Sequence, residues 1–218
     1  MKYASRAVRV CLALPLLLAL LLTGCGLTQL NATGYVQGLL DETYKGTWEE
    51  SYLALVDLTE EEAAADYQAG LEAELTRFSD YFRLEADSLS QQTLDAFREY
   101  LGQLYARARY SVDCATRSES GAWLVEVTVQ PILTLAALTD QAADLRAAFD
   151  ADPLLPEENR EETWASLVLE ACRSAEVEYG EKTTITVRLT ADEEGFYSIG
   201  ALDFYHLDEL ILSYEQRT

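Results

Sequence analysis

Apolar residues recur every three or four positions over most of this chain and every second position in two short stretches. Tyr35, Val36, Leu39, Leu40 and Tyr44 form a first helical stripe, and Gly46 is placed to end that helix. Tyr67, Leu71, Leu75, Phe78 and Phe82 form a second; Leu94, Phe97, Leu101, Leu104 and Ala108 form a third. Three local strings read as capping boxes that open helices: Thr47-Trp48-Glu49-Glu50, Thr59-Glu60-Glu61-Glu62 and Ser88-Leu89-Ser90-Gln91. The acidic run at 60–62 then complements a helix N-terminus and needs no ligand to explain it.

Near residue 109 the period drops to two. Tyr110, Val112 and Cys114 alternate with Ser111, Asp113 and Ala115, Ser118 to Gly121 turns, and Trp123, Val125, Val127 and Val129 alternate on the way back to Pro131. This is a β-hairpin with one apolar face. The spacing predicts helix again over 134–149, a break at Asp152 to Pro156, and a further helix to about Tyr179 with Gly180 as its stop. Trp164, Leu167, Val168, Ala171, Cys172 and Ala175 make its stripe. A second hairpin follows. Ile185, Val187 and Leu189 alternate, Asp192 to Gly195 turns, Phe196 to Tyr205 returns, and a short helix starts near Leu207. The two are most economically joined in one four-stranded antiparallel sheet with helices packed on one face, an α+β fold; the alternative is two separate lobes of helices and hairpin, in which each isolated hairpin would be marginal.

The first residues follow a different pattern. Lys2, Arg6 and Arg9 precede an apolar run from Val10 to Leu22, which falls short of the roughly 20 residues a membrane-spanning helix needs. A basic start, a short apolar run and a small-residue exit are the parts of an export signal. The exit, Leu22-Thr23-Gly24-Cys25, resembles the lipobox of bacterial lipoproteins. That resemblance implies cleavage between Gly24 and Cys25 and acylation of the Cys25 thiol, leaving the head on the outer face of the cell membrane. The expected organisation is a removed signal over 1–24, a lipidated cysteine and short tether over 25–33, and one acidic α+β domain over 34–218. The strings "NATGYVQGLLDETYKG", "TEEEAAADYQAGLEAEL" and "GAWLVEVTVQPI" are similar to a domain-of-unknown-function group of lipoproteins from Gram-positive, Clostridia-like bacteria. The helix-then-hairpin layout of that group is similar to the NTF2-like or cystatin-like cone, a curved sheet wrapping a helix. The resemblance implies fold and location and no activity.

The chain carries 38 acidic and 16 basic residues. Loss of the signal removes three of the basic residues and takes the net charge from −22 to −25. Such a head is expected to stay clear of nucleic acid and anionic lipid surfaces, both of which reward basic contacts. Its membrane partner is then the lipid anchor alone, with a small molecule or protein as the further partner. Of four cysteines, Cys11 leaves with the signal and Cys25 is the anchor. Cys114 and Cys172 remain, each on an apolar stripe. They are expected either to pair as a disulfide in the oxidising export compartment or to stay as two buried thiols.

Catalytic patterns are sparse. His206 is the single histidine, and the mature chain has neither G-x-S-x-G nor S-x-x-K. One histidine and two separated cysteines do not make a zinc set, and Asp150-Ala151-Asp152 starts like a calcium loop but is stopped by Pro153. No metal and no cofactor is expected. Trp123 and Tyr197, on the two hairpins, are candidates for lining a ligand groove. The expected function is a membrane-anchored, extracytoplasmic, non-catalytic domain that binds a ligand or a protein. The alternative is an envelope hydrolase using paired carboxylates or His206.

Overall fold

A computed structural model describes residues 29–152, 158–191 and 197–214. Gly24 and Cys25 lie outside them. Helix α1 (Gln29–Leu40) runs into a π-helical turn, Asp41–Lys45, and Gly46 stops it at φ 60°, a left-handed conformation that glycine adopts without strain. The helix begins inside the segment expected as tether, since Ala32 is fully buried. Helix α2 (Glu50–Val56) packs on α1. Its N-cap is Glu49 without a side-chain hydrogen bond, so the box expected at Thr47 does not form.

Helix α3 (Glu60–Phe82) does start on its expected box. Thr59 accepts from the Glu62 amide, and Glu62 accepts from the Thr59 amide at 2.8 Å. Helix α4 (Gln91–Tyr105) is capped by Ser90, whose hydroxyl accepts from the Thr93 amide; Ser88 belongs instead to a 3₁₀ turn, Ala86–Ser88. The stripes of α3 and α4 meet through Phe78 and Phe97, whose ring centres are 5.2 Å apart.

Strands β1 (Arg109–Arg117), β2 (Trp123–Gln130), β3 (Thr183–Ala191) and β4 (Tyr197–Ile199) form one antiparallel sheet in the order β1-β2-β3-β4. The two hairpins are thus joined by β2–β3 pairing, as expected. Val125, Val127, Val129, Val187 and Leu189 are fully buried on one face, while Glu126, Thr184, Thr186 and Arg188 face solvent on the other. Helix α1 covers β1 and β2 on the apolar face, and α8 (Ala201–Ile211) covers β2 and β3. Short α5 (Thr134–Ala137) and α6 (Thr139–Ala151) lead to α7 (Arg160–Ser174), which packs on α4 and α6.

Two expected boundaries move, each for a tertiary reason. Among the described residues the return strand spans Tyr197–Ile199 and α8 starts at Ala201, because the Asp203 carboxylate accepts from the Arg188 amide at 2.8 Å. It thereby takes the donor a longer β4 would have used. Helix α7 ends at Ser174 and not near Tyr179. Residues 177–180 are stitched to the segment after β2 instead: the Leu133 amide donates to the Glu178 carbonyl at 2.9 Å, the Glu178 amide to Thr134 Oγ1 at 3.1 Å, and the Gly180 amide to the Pro131 carbonyl at 2.9 Å.

Candidate functional site

The expected site residues are not brought together. Trp123 is 8% exposed on the core face of β2, Tyr197 sits two strands away on β4, and neither lines a cavity described below. His206 lies in α8, exposed, with the exposed Tyr205 as its ring neighbour at 6.0 Å.

Cys114 and Cys172 are free thiols in different surroundings. The register of β1 slips between Val112 and Ala115, so Asp113 and Cys114 together face Glu126 in a β-bulge. Ala115 takes the buried position, and Cys114 turns to the polar face and donates to Glu126 at 3.2 Å. Strict alternation placed Cys114 in the core; the extra residue of the bulge reverses it. Cys172 is 1% exposed on α7, which packs on α4 and α6, and burial pushes its thiol up to about 12.

A pair of acids does converge, though sequence reasoning did not single it out. Glu74 of α3 is 5% exposed and Asp208 of α8 is partly buried. Arg77 lies between them, 4.0 Å from Glu74 and 3.1 Å from Asp208. Tyr44 donates to Asp208 at 3.0 Å, Tyr214 donates to Glu74, and Tyr105 also reaches Glu74. The Tyr44 ring stands edge-on to Tyr105 at 5.3 Å, so the cluster ties the π turn of α1 to α3, α4 and α8. Burial raises the pKa of Glu74 and of Asp208, against the pull of the tyrosine hydroxyls and Arg77. Burial likewise raises Glu42, which accepts from Tyr52.

These shifts set a pH dependence. A carboxyl with a raised folded pKa binds its proton more readily folded than unfolded, so stability grows as pH falls through that raised value toward the ordinary one. Other acids act oppositely. Asp41 stays low because hydrogen bonds from Lys45, Gln37 and Tyr110 together outweigh its burial; the Thr59 amide holds Glu62 low, Arg146 holds Asp150 low, and Thr93 holds Glu162 low. Their contribution is present above ordinary carboxylate pKa values and is lost as pH falls through the depressed ones. The melting temperature is therefore expected to rise as pH falls from neutral toward the ordinary carboxylate range and to fall below about pH 4. Calorimetry across that range checks it; a steady decline from neutral pH downward would contradict the assignment.

The remaining feature is a cavity of about 440 Å³ between the end of α4, the end of α7 and the stitched segment 175–180. Arg107, Arg109 and Arg173 all line it, together with Glu176. Arg109 opens β1 and its guanidinium carbon lies over the Tyr179 ring, 3.6 Å from its centre. Tyr179 in turn donates to the Arg107 carbonyl at 2.9 Å. Arg173 makes one loose ion pair, 3.9 Å from Glu99. Tyr100 is 8% exposed, lines the cavity, and its hydroxyl lies against the Cys172 thiol with no nitrogen or oxygen partner. Sequence reasoning passed over this cavity. Its one legible trace is the Arg107/Arg109 pair astride the change from helical to strand period in a strongly acidic chain. A second cavity, of about 520 Å³, opens between α1 and α2 beside Asp41, Lys45, Trp48 and Tyr52. Among the described residues, no group of three or more histidine, cysteine or acidic side chains is placed to hold a metal ion.

No family model matches the chain, and no curated protein matches its sequence. The resemblances to the Clostridia-like lipoprotein group and to the NTF2-like cone accordingly gain no support from that side. A solved structure does match: "a putative lipoprotein (ycdA) from Bacillus subtilis subsp. subtilis str. 168", with a TM-score of 0.58 at 12% identity over 83% of this chain. The likeness is one of fold. This chain spans 56% of the length of that one. Among the described residues, no helix is long and apolar enough to cross a membrane.

Proposed function

We propose that this protein is a bacterial lipoprotein, tethered by an acylated Cys25 to the outer face of the cell membrane, whose head binds a ligand without transforming it. The anchor rests on the order of basic start, short apolar run and Leu22-Thr23-Gly24-Cys25; the fold shared with the B. subtilis ycdA protein agrees with it. The observation that carries the binding reading is the contrast between the acid pair and the arginine-lined cavity. Glu74 and Asp208 already accept hydrogen bonds from tyrosines and face Arg77, and His206 stands in neither place. The cavity offers side chains whose bonding capacity is not spent on the protein itself.

Anchoring is tested by fractionation. Cys25→Ala is expected to stay uncut at Gly24 and to lose the acylated N-terminal peptide seen by mass spectrometry in wild type. Processing and acylation that persist in the variant would defeat the lipoprotein reading. The binding reading is tested by native mass spectrometry of lipidated protein taken from its own envelope. A bound mass released chemically unchanged on unfolding is expected, and a head that is empty in every preparation would count against it.

A further inference from the structure

We propose that the cavity between α4, α7 and residues 175–180 is a site for a small organic anion, a carboxylate or phosphate ester with a short apolar part. This deepens the ligand-binding reading and rests on it.

The argument starts from charge. The mature chain has 13 basic residues against 38 acidic ones, yet three of the 13 line this one cavity. Among the described residues neither Arg107 nor Arg109 is in an ion pair, and Arg173 has only its long contact with Glu99, an acid whose side chain is 64% exposed. One acid, Glu176, stands among the three cations, so the cavity is net positive within a net negative head. A guanidinium offers five N–H donors in a planar fork that matches carboxylate and phosphate oxygens. The Tyr179 ring beneath the Arg109 guanidinium helps to hold it in place, and its 3.4 Å contact with Gln130 uses only one of those donors. Pre-organisation of this kind lowers the entropy cost of binding.

The second observation is the Tyr100 hydroxyl. A buried hydroxyl without a good partner is destabilising. Cys172 offers it only a weak sulfur partner, and because burial keeps that thiol protonated, no thiolate adds negative charge there. The hydroxyl oxygen is closed to solvent in the empty protein, so a ligand oxygen would accept from Tyr100 once the ring tilts toward the cavity it lines. Leu104, Ala175 and Val177 give the wall an apolar part that takes the hydrocarbon, beside the polar Gln103 and Thr134. The surrounding acidity sets an upper limit on size: a polyanion extending beyond the cavity meets repulsion, whereas a small anion meets only the arginines and Glu176.

The test uses the full lipidated protein in neutral-detergent micelles, titrated calorimetrically with inorganic phosphate, hexyl phosphate and hexanoate. Hexyl phosphate is expected to bind more tightly than inorganic phosphate. Arg109→Ala and Arg173→Gln are each expected to weaken it by about tenfold or more, the worth of one charge-assisted hydrogen bond. Arg188→Ala, on the exposed sheet face, should leave it unchanged. Tyr100→Phe discriminates further: it should hold or raise the melting temperature of the empty protein while weakening hexyl phosphate severalfold, opposite signs that a purely structural role does not produce. Vesicles containing phosphatidylglycerol form a parallel arm. Binding to them that depends on the same arginines, with the soluble probes inert, makes the source of the anion a lipid headgroup. Absence of binding to any probe, or binding indifferent to Arg109, Arg173 and Tyr100, overturns the proposal. A native ligand still retained by Arg109→Ala and Arg173→Gln would sink this site and leave the binding reading standing.

Discussion

Trp164→Ala is expected to lose about 4 kcal/mol of folding stability, the largest effect of any single substitution considered for this chain. Trp164 is 1% exposed on α7. Its ring is tilted against Phe149 of α6 at 5.5 Å, and the Arg146 guanidinium lies 5.2 Å from the ring centre. Its indole N–H donates at 3.1 Å to the carbonyl of Phe82, the last residue of α3. One side chain thus joins three helices. Alanine removes the apolar contact, leaves a large void and orphans a helix-terminal carbonyl, and these costs add. Trp164→Phe separates them: most of the volume stays, the donor goes, and about 1–3 kcal/mol should be lost. Urea denaturation reads both. A loss below about 1 kcal/mol for alanine would mean that α7 is not held by this residue. Because α7 carries Cys172 and Arg173, loosening it should also deform the arginine-lined cavity.

The second large effect is Gly38→Ala on α1. A Cβ built at Gly38 would stand 2.2 Å from Tyr52 Cδ2 and 2.3 Å from Cγ. The Tyr52 ring cannot easily retreat, because its hydroxyl is bonded to buried Glu42 and its chain position is fixed by α2 packing on α1. Overpacking of this kind costs about 1–3 kcal/mol, and the overlap here places the variant at the upper end. Gly34, one turn earlier on the same helix, is the control. A Cβ there meets nothing within 4 Å, so Gly34→Ala should raise stability by about 0.5–1 kcal/mol through helix propensity. Opposite signs at two glycines four residues apart are read in the same denaturation series. Equal effects at the two would show that Tyr52 does not sit against Gly38.

The features legible in the sequence are those that neighbouring residues settle among themselves. The box at Thr59 formed because Thr59 and Glu62 need only each other and two nearby amides. The box read at Thr47 did not, since nothing local forbids the helix from starting later, at Glu50. Val125, Val127 and Val129 declared a strand with one buried face, and each is fully buried. Cys114 was misplaced because a bulge adds one residue to an alternating pattern without altering its composition. The candidate site was barely legible. Tyr100, Arg107, Arg109, Arg173 and Tyr179 come from two helices, a strand, the turn before that strand and an irregular segment, and helical or strand periodicity carries no information on which ends of which elements meet.

By itself, then, the sequence determined the helices, the two hairpins, the α+β class and the acidity of the head, because backbone hydrogen bonds, caps and side-chain period act over a few residues. The joining of the hairpins into one sheet was expected from it as well, since neither could bury its apolar face alone. Only the tertiary structure decided where α7 and α8 begin or end, which face Cys114 presents, and that three arginines share a cavity. Each of those depends on a partner far away in the chain. Asp203 takes the Arg188 amide, residues 131–134 hold residues 177–180 out of helix, and Tyr179 supports Arg109 from 70 residues on. Such pairings are settled by packing and by the requirement that buried donors and acceptors be satisfied across the whole fold.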